Sequence, residues 1–120
     1  MKVIFHSLDS NEEKIYFQVE GKIIKHLLIF EDKSTPNTII YLAINKDNII
    51  LDRVGDTNMH MNFKSNQIIE GYYKNKLGLE FRIFIKTNNL IIKTNKIEID
   101  YDLIIDDYTA SSHKIWILFQ

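Results

Sequence analysis

Residues 49–73 read IILDRVGDTNMHMNFKSNQIIEGYY, and the side chains in this stretch alternate in character. Odd positions are mostly apolar and even positions mostly polar. This period of two is typical of half-buried β-strands, whereas an amphipathic helix repeats every 3.6 residues. Gly55-Asp56 and Lys64-Ser65-Asn66 interrupt the alternation with turn-forming residues. The stretch therefore predicts two strands in one hairpin and a third strand over residues 68–74.

The composition of the whole chain supports the same structural class. At 120 residues the chain has the length of one domain, and its 45% hydrophobic and 26% charged residues are ordinary for a globular protein. Ile, Phe and Tyr are abundant, whereas alanine occurs only at Ala43 and Ala110. Because β-branched and aromatic side chains suit a pleated surface, we predict a single all-β domain over residues 1–120.

Charge and cysteine content limit the classes of partner and of chemistry. The net charge is −1 without a basic block, which argues against a nucleic-acid partner. The absence of cysteine excludes disulfides and thiolate chemistry. Residues 1–7 run into polar sequence too soon for a signal peptide, and the apolar run at 115–119 is too short to span a membrane. We expect a cytoplasmic protein with neither a nucleic-acid nor a membrane partner.

Strand-like segments follow one another along the chain without an amphipathic helix. Gly21 and Asn88-Asn89 are predicted turns, and residues 106–112 a polar loop. About eight to ten short strands predict an antiparallel meander that closes into a barrel, or a two-layer sandwich. A barrel removes the free edges of these strands. Outside the opening hairpin the predicted strands cover residues 3–7, 14–20, 22–31, 38–45, 68–74, 79–87, 90–94, 97–105 and 113–119.

Arg53 departs from the alternation, because it lies on the otherwise apolar odd face in line with Leu51 and Met59. An inward arginine in a barrel can anchor a ligand carboxylate through two charge-assisted hydrogen bonds. The alternative is a structural role at a strand end, where Arg53 bonds backbone carbonyls or an acidic side chain at the rim. The candidate acidic partners are Asp52, Asp56, Asp100 and Asp102.

Other side chains on the inward face complete a candidate ligand site. Met59 and Met61 suit either a flexible acyl chain or ordinary core packing, because methionine adapts to irregular apolar space. Tyr72 and Tyr73 face opposite sides of their strand, so one ring belongs to the core with its hydroxyl at the rim. The candidate ligand-binding residues are Arg53, Met59, Met61, Phe63, Tyr73 and Tyr101.

The histidines and serines show no catalytic or metal-binding motif. No two histidines have the HxH or HExxH spacing of metal ligands. Ser111 and Ser112 precede His113, but no G-x-S-x-G turn surrounds them to expose a nucleophile. We expect no catalytic residue, no metal and no cofactor. The four histidines are His6, His26, His60 and His113.

Two predicted strands are apolar on both faces, over residues 22–31 and 113–119. An outer apolar face is either covered by another part of the chain or paired with a second copy. This pattern is the ground for expecting a homodimer.

The second half of the chain carries a spaced set of residues: Arg53-x-Gly55, Met59, Phe63, Tyr73, Gly78 and Ile97-x-Ile99-x-Tyr101-x-Leu103. This set resembles a pattern of the YwiB-like family of uncharacterised small bacterial proteins. The resemblance implies a closed or nearly closed β-barrel of the calycin kind, similar to lipocalins and fatty-acid-binding proteins. It brings no function, since similarity to ligand carriers is analogy of fold.

The chain departs from the family pattern at two positions. Thr87 falls one residue later than in the family, which indicates a bulge or a one-residue insertion in the strand after Gly78. Val54 is apolar where the family often has a small polar residue.

Three function hypotheses follow from these observations. The first is a binding protein for a small apolar or amphipathic, fatty-acid-like ligand, anchored by Arg53 in an interior cavity of roughly a few hundred Å³. The second is a barrel filled by its own side chains, acting as a structural or protein-interaction module without a small-molecule ligand. The third is an enzyme using His26 or His113 with an aspartate, which needs two titratable groups within hydrogen-bond reach in a cleft. We expect binding rather than catalysis.

Overall fold

The computed structural model describes residues 1–120 as ten β-strands without a helix. No helix is therefore available that is long and apolar enough to cross a membrane. The strands are β1 (Lys2–Asp9), β2 (Lys14–Ile24), β3 (Leu27–Glu31), β4 (Ile39–Ile44), β5 (Ile49–Val54), β6 (Asn58–Phe63), β7 (Ile68–Lys74), β8 (Glu80–Ile92), β9 (Lys96–Ile105) and β10 (Tyr108–Phe119).

The ten strands form one closed antiparallel barrel. Each strand pairs with its neighbours in the chain, and β1 also pairs with β10. This seam runs from the Val3–Phe119 pair to the Asp9–His113 pair. The backbones of Lys2 and Gln120 exchange two hydrogen bonds, of 2.8 and 3.0 Å. The predicted all-β meander barrel is thus confirmed, and the alternative of a sandwich is wrong because the sheet has no free edge.

The alternating side chains fill most of the barrel interior. Nineteen buried apolar residues form one core. Phe63, Ile97 and Ile117 are fully buried at the end of the barrel where β5 and β9 begin and β10 ends. Each such side chain stabilises the fold by roughly 1.5–3 kcal/mol relative to exposure. The core thins toward the opposite end, where β1, β5 and β9 end.

Strand β8 continues through Asn88-Asn89, where the sequence predicts a hairpin. The register against β9 shifts between Thr87 and Asn89, which is a β-bulge. Inward positions therefore change from odd numbers, such as Ile85, to even numbers, such as Leu90. The predicted turn is wrong because β8 pairs with β9 on both sides of the bulge. The late position of Thr87 in the family resemblance predicts a bulge or one-residue insertion in this strand, and the register shift confirms a bulge.

Strand β2 runs through Gly21, which the sequence assigns to a turn. The turn lies at Lys25-His26, where Lys25 has a φ of 58°. The glycine serves close packing, because a Cβ at Gly21 would lie 2.7 Å from Cγ2 of Val3. His26 is consequently exposed in the turn and does not face the barrel interior.

Strand β10 begins earlier than predicted, and this extension shapes the open end. Asp106 and Asp107 form a tight turn, with φ of 52° and 65°. The strand then starts at Tyr108, with a register shift between Thr109 and Ser111. The predicted loop over 106–112 is confined to the turn at 106–107, and it is wrong for 108–112 because that part belongs to β10 and pairs with β9.

Candidate functional site: a polar cavity at the open end

The barrel opens at one end into a cavity of about 170 Å³. Most of its lining is apolar, and polar side chains lie among the apolar ones. The expected interior cavity is thus present but smaller than predicted, because core side chains fill the rest of the barrel. The lining residues are Phe5, Ser7, Asp9, Glu13, Ile15, Leu51, Arg53, Met59, Met61, Tyr101, Leu103, His113 and Ile115.

Arg53 lines this cavity from the end of β5 and pairs with Asp32. Its Nε lies 3.1 Å from Oδ2 of Asp32. The N–H of that Nε is not aligned with the oxygen, so charge rather than an ideal hydrogen bond holds the pair. Apart from Asp32, no protein group hydrogen-bonds or pairs with the guanidinium. Its two Nη groups are therefore free to donate.

The β3–β4 loop holds the Asp32 carboxylate in place. Asp32 is only 1% exposed. Its Oδ1 accepts hydrogen bonds from the backbone N–H of Ser34, at 2.9 Å, and from the Ser34 hydroxyl, at 2.5 Å. The other carboxylate oxygen faces Arg53. Asp32 thereby orients the guanidinium, and none of the four aspartates predicted as partners does so.

Tyr101 brings a neutral hydroxyl to the cavity. Its ring packs between Phe63 and His113, with ring centroids 4.9 and 4.8 Å away. Burial raises the pKa of Tyr101 to about 12, Arg53 acts to lower it, and Asp9 adds to the rise. The hydroxyl therefore stays protonated at neutral pH and can both donate and accept a hydrogen bond.

His113 contributes an imidazole on the same side of the cavity. Burial lowers the pKa of His113 below its usual 6.5, against the opposing effects of Asp9 and Asp102. Its Nε2 lies 2.6 Å from the Ser111 hydroxyl oxygen. Ser112 instead bonds the Asp102 carboxylate, at 2.7 Å. Successive side chains of a strand point to opposite faces, so Ser112 and Asp102 lie on the face opposite Ser111 and His113.

Four of the six candidate ligand-binding residues line the cavity: Arg53, Met59, Met61 and Tyr101. Phe63 does not, because it is fully buried beneath Tyr101 in the filled part of the barrel. Tyr73 lies aside from the cavity and stacks on Phe81, with ring centroids 6.3 Å apart.

Sequence reasoning missed the acidic members of the site and named His113 only as a candidate for catalysis. Asp9 continues the inward alternation of β1, and Asp32 lies two residues beyond the inward Phe30. His113 shares the inward parity of Ile115. Extending predicted strands 3–7 and 22–31 by two residues and one residue would have found Asp9 and Asp32, whereas His113 already begins predicted strand 113–119.

The remaining histidines lie away from the cavity. Nδ1 of His60 lies 2.5 Å from Oδ1 of Asp52 on the outer surface, and the His60 ring stacks on Tyr72. His6 lies on the outer face of β1. No group of three or more His, Cys, Asp or Glu side chains comes together in a way that could hold a metal ion.

An aromatic patch covers the outer face across β2, β1 and β10. The His6 ring lies 4.9 Å from the Trp116 ring and 6.0 Å from the Tyr16 ring, centroid to centroid. Tyr16 is 66% and Leu118 is 43% exposed. We call the set of Ile4, His6, Tyr16, Trp116 and Leu118 the aromatic patch.

Comparison with known proteins agrees with this architecture. A family model described as a domain of unknown function, DUF1934, matches residues 3–117. The crystal structure of the ywiB protein from Bacillus subtilis matches with a TM-score of 0.74 and 17% sequence identity, over 97% of this chain and 87% of that chain. No curated protein matches the chain. At this identity the structural match shows the fold alone, and it confirms the YwiB-like barrel implied by the sequence. Because the family model covers nearly the whole sequence, the chain belongs to the DUF1934 family.

Proposed function

We propose that this protein is a small cytoplasmic binding protein that holds a short amphipathic acid in the open-end cavity, without chemistry on the ligand. One observation carries the proposal: Arg53 lines a largely apolar cavity with both Nη groups unpartnered. A ligand carboxylate accepts two parallel charge-assisted hydrogen bonds from such a guanidinium. The apolar part of the ligand packs against Leu51, Met59 and Met61.

The preparation of Arg53 by Asp32 supports a binding role. The buried carboxylate takes the Nε side of the guanidinium and fixes its direction, so less side-chain freedom is lost when a ligand binds. Tyr101 and His113 add hydrogen-bonding groups without adding charge at neutral pH. Few convergent polar groups in an apolar lining are typical of small-molecule sites.

The cavity volume sets the size of the ligand. Ligand pockets for drug-sized molecules are roughly 300–1,000 Å³, and this cavity is about 170 Å³. We therefore propose a short-chain acid instead of the long fatty acid suggested by analogy with lipocalins and fatty-acid-binding proteins.

Native mass spectrometry of protein purified without detergent tests the proposal. We expect a mass excess over the denatured protein in the wild type, and its loss in Arg53→Gln. Arg82→Gln is the matched control, because Arg82 is the other arginine of the chain and pairs with Glu70 on the outer surface, at 2.6 Å.

Two results would contradict the proposal. One is a mass excess that Arg53→Gln leaves unchanged. The other is bare protein in every preparation together with no calorimetric binding of short-chain acids. Since Arg53→Gln leaves Asp32 buried without its partner, the double variant Asp32→Asn/Arg53→Gln serves as a second, neutral version of the same test.

The aromatic patch favours a second function, association of two copies through the outer face. Exposed aromatic rings next to an exposed aliphatic side chain are typical of protein interfaces. Sedimentation velocity over a concentration series tests this, with Leu118→Glu in the patch and Leu77→Glu as control. Leu77 is 85% exposed in the β7–β8 turn, away from the patch. We expect a dimer for wild type and the control and a monomer for Leu118→Glu; a monomeric wild type would contradict association.

A further inference from the structure

The charges around the cavity do not balance. Arg53 is the single cationic side chain in the lining, and its charge is already matched by the buried Asp32. Asp9 and Glu13 also line the cavity, and neither forms a salt bridge. A ligand that carries only a carboxylate would gain the Arg53 hydrogen bonds while facing two carboxylates without a cation.

The Asp9 carboxylate is held in place at the mouth of the cavity. Its Oδ1 accepts hydrogen bonds from the backbone N–H groups of Asn11 and Glu13, both at 2.9 Å. Its Oδ2 has no hydrogen-bond or salt-bridge partner within the protein. Two backbone bonds on one oxygen orient the carboxylate, and the free oxygen is able to accept from a cation.

Arg53 and Asp9 carry opposite charges and have opposite effects on the pKa of the Tyr101 hydroxyl. The pKa of Tyr101, raised mainly by burial, is lowered by Arg53 and raised by Asp9. Both charges therefore lie within electrostatic reach of one hydroxyl. Tyr101 and His113 line the same cavity and are neutral at neutral pH, so a bound molecule meets one cation, two neutral hydrogen-bonding groups and two carboxylates in a space of about 170 Å³.

We infer that the ligand is a zwitterion, a small apolar α-amino acid. Its carboxylate accepts from the Arg53 guanidinium, and its ammonium group donates to Asp9 and Glu13. Its side chain lies on Met59 and Met61. This inference rests on the proposed acid-binding function and adds a cationic group that faces the half-buried Asp9 and the exposed Glu13. An amine without a carboxylate would leave the Arg53 Nη groups unpartnered.

Calorimetric titration of the full chain with matched ligand pairs tests the inference. The amino acids are L-valine, L-leucine and L-methionine. Each amino acid is compared with the acid that lacks its amino group; for L-leucine this acid is 4-methylpentanoate. L-leucine is also compared with 3-methylbutylamine, the amine that lacks its carboxylate. We expect at least one amino acid to bind about tenfold or more tightly than its singly charged analogues, a difference of about 1.4 kcal/mol or more.

A double variant locates the ammonium site. Asp9→Asn/Glu13→Gln keeps the Asp9 side-chain oxygen that accepts the two backbone N–H groups, so the β1–β2 turn is preserved. We expect this variant to lose about tenfold or more in amino-acid affinity and to lose nothing for the deaminated acids.

The outcomes separate this inference from the proposed function. Acids that bind as tightly as their amino acids, or tighter, would overturn the zwitterion and leave acid binding standing. Amino-acid affinity unchanged in the double variant would likewise overturn it. Binding of neither class would refute both.

Discussion

Removing the guanidinium of Arg53 should destabilise the barrel far more than removing that of Arg82. The Asp32 carboxylate is only 1% exposed in the wild type, and in Arg53→Met it loses the cation 3.1 Å away. Breaking a buried ion pair from one side costs about 3–5 kcal/mol, because an unpaired charge is left in the interior. Arg53 is 26% exposed, so solvent screens part of the loss and we expect about 3 kcal/mol.

Comparison of the Arg53→Met variant with a double variant measures this penalty. Urea unfolding at neutral pH, followed by the fluorescence of the single tryptophan, Trp116, gives the free energy of unfolding for each variant. Asp32→Asn/Arg53→Met should be closer to wild type than Arg53→Met alone, because it buries no charge. Arg82→Met should change the free energy of unfolding by less than about 1 kcal/mol, since its pair with Glu70 is exposed.

Two results would refute the reasoning about Arg53. A cost for Arg53→Met no larger than that for Arg82→Met would mean that the Asp32 carboxylate is not desolvated. A double variant as unstable as Arg53→Met would mean that the loss comes from packing of the arginine stem.

Three further predictions follow from the backbone and from the two shifted pKa values. Gly71→Ala should lower the free energy of unfolding by about 3 kcal/mol, because the added Cβ would collide with the carbonyl oxygen of His60. Gly78→Ala should lower it by about 1–2 kcal/mol, through its positive φ alone. Equal losses in thermal or urea unfolding would contradict this. Because the pKa of Tyr101 is raised, the contribution of its neutral hydroxyl to stability is complete below pH 10 and is lost as the pH rises toward 12. Across that window the wild type should lose about 2–3 kcal/mol in free energy of unfolding relative to Tyr101→Phe. Parallel pH profiles of the two proteins would contradict this prediction. Because the pKa of His113 is lowered, the wild type should lose stability as the pH falls below 6.5. NMR titration should find the His113 ring signals changing below that pH. A titration midpoint at or above 6.5 would show that the imidazole is not desolvated.

The alternation of residues was enough to determine the class of fold and the inward face. Between Ile49 and Lys74 the strands and turns agree with the sequence prediction, because each strand has one clearly apolar face and each turn has strong turn residues. Arg53 was recognisable for the same reason: a cation interrupts a row of apolar side chains. The bounds were less accurate at Gly21 and at 106–112, where local turn or loop propensity competed with pairing to a neighbouring strand.

Only the tertiary structure decided the chemistry of the site. The Arg53 partner is Asp32, which lies in a loop 21 positions earlier and comes within reach because β4 pairs with β5. Asp9 and His113 meet across the β1–β10 seam, which joins the two ends of the chain. Such contacts depend on strand register and barrel closure, and a period of two reports only which face a side chain occupies, not which distant side chain it meets. The cavity volume is likewise set by how completely the buried side chains fill the closed barrel, a packing property that residue order along a single strand does not contain.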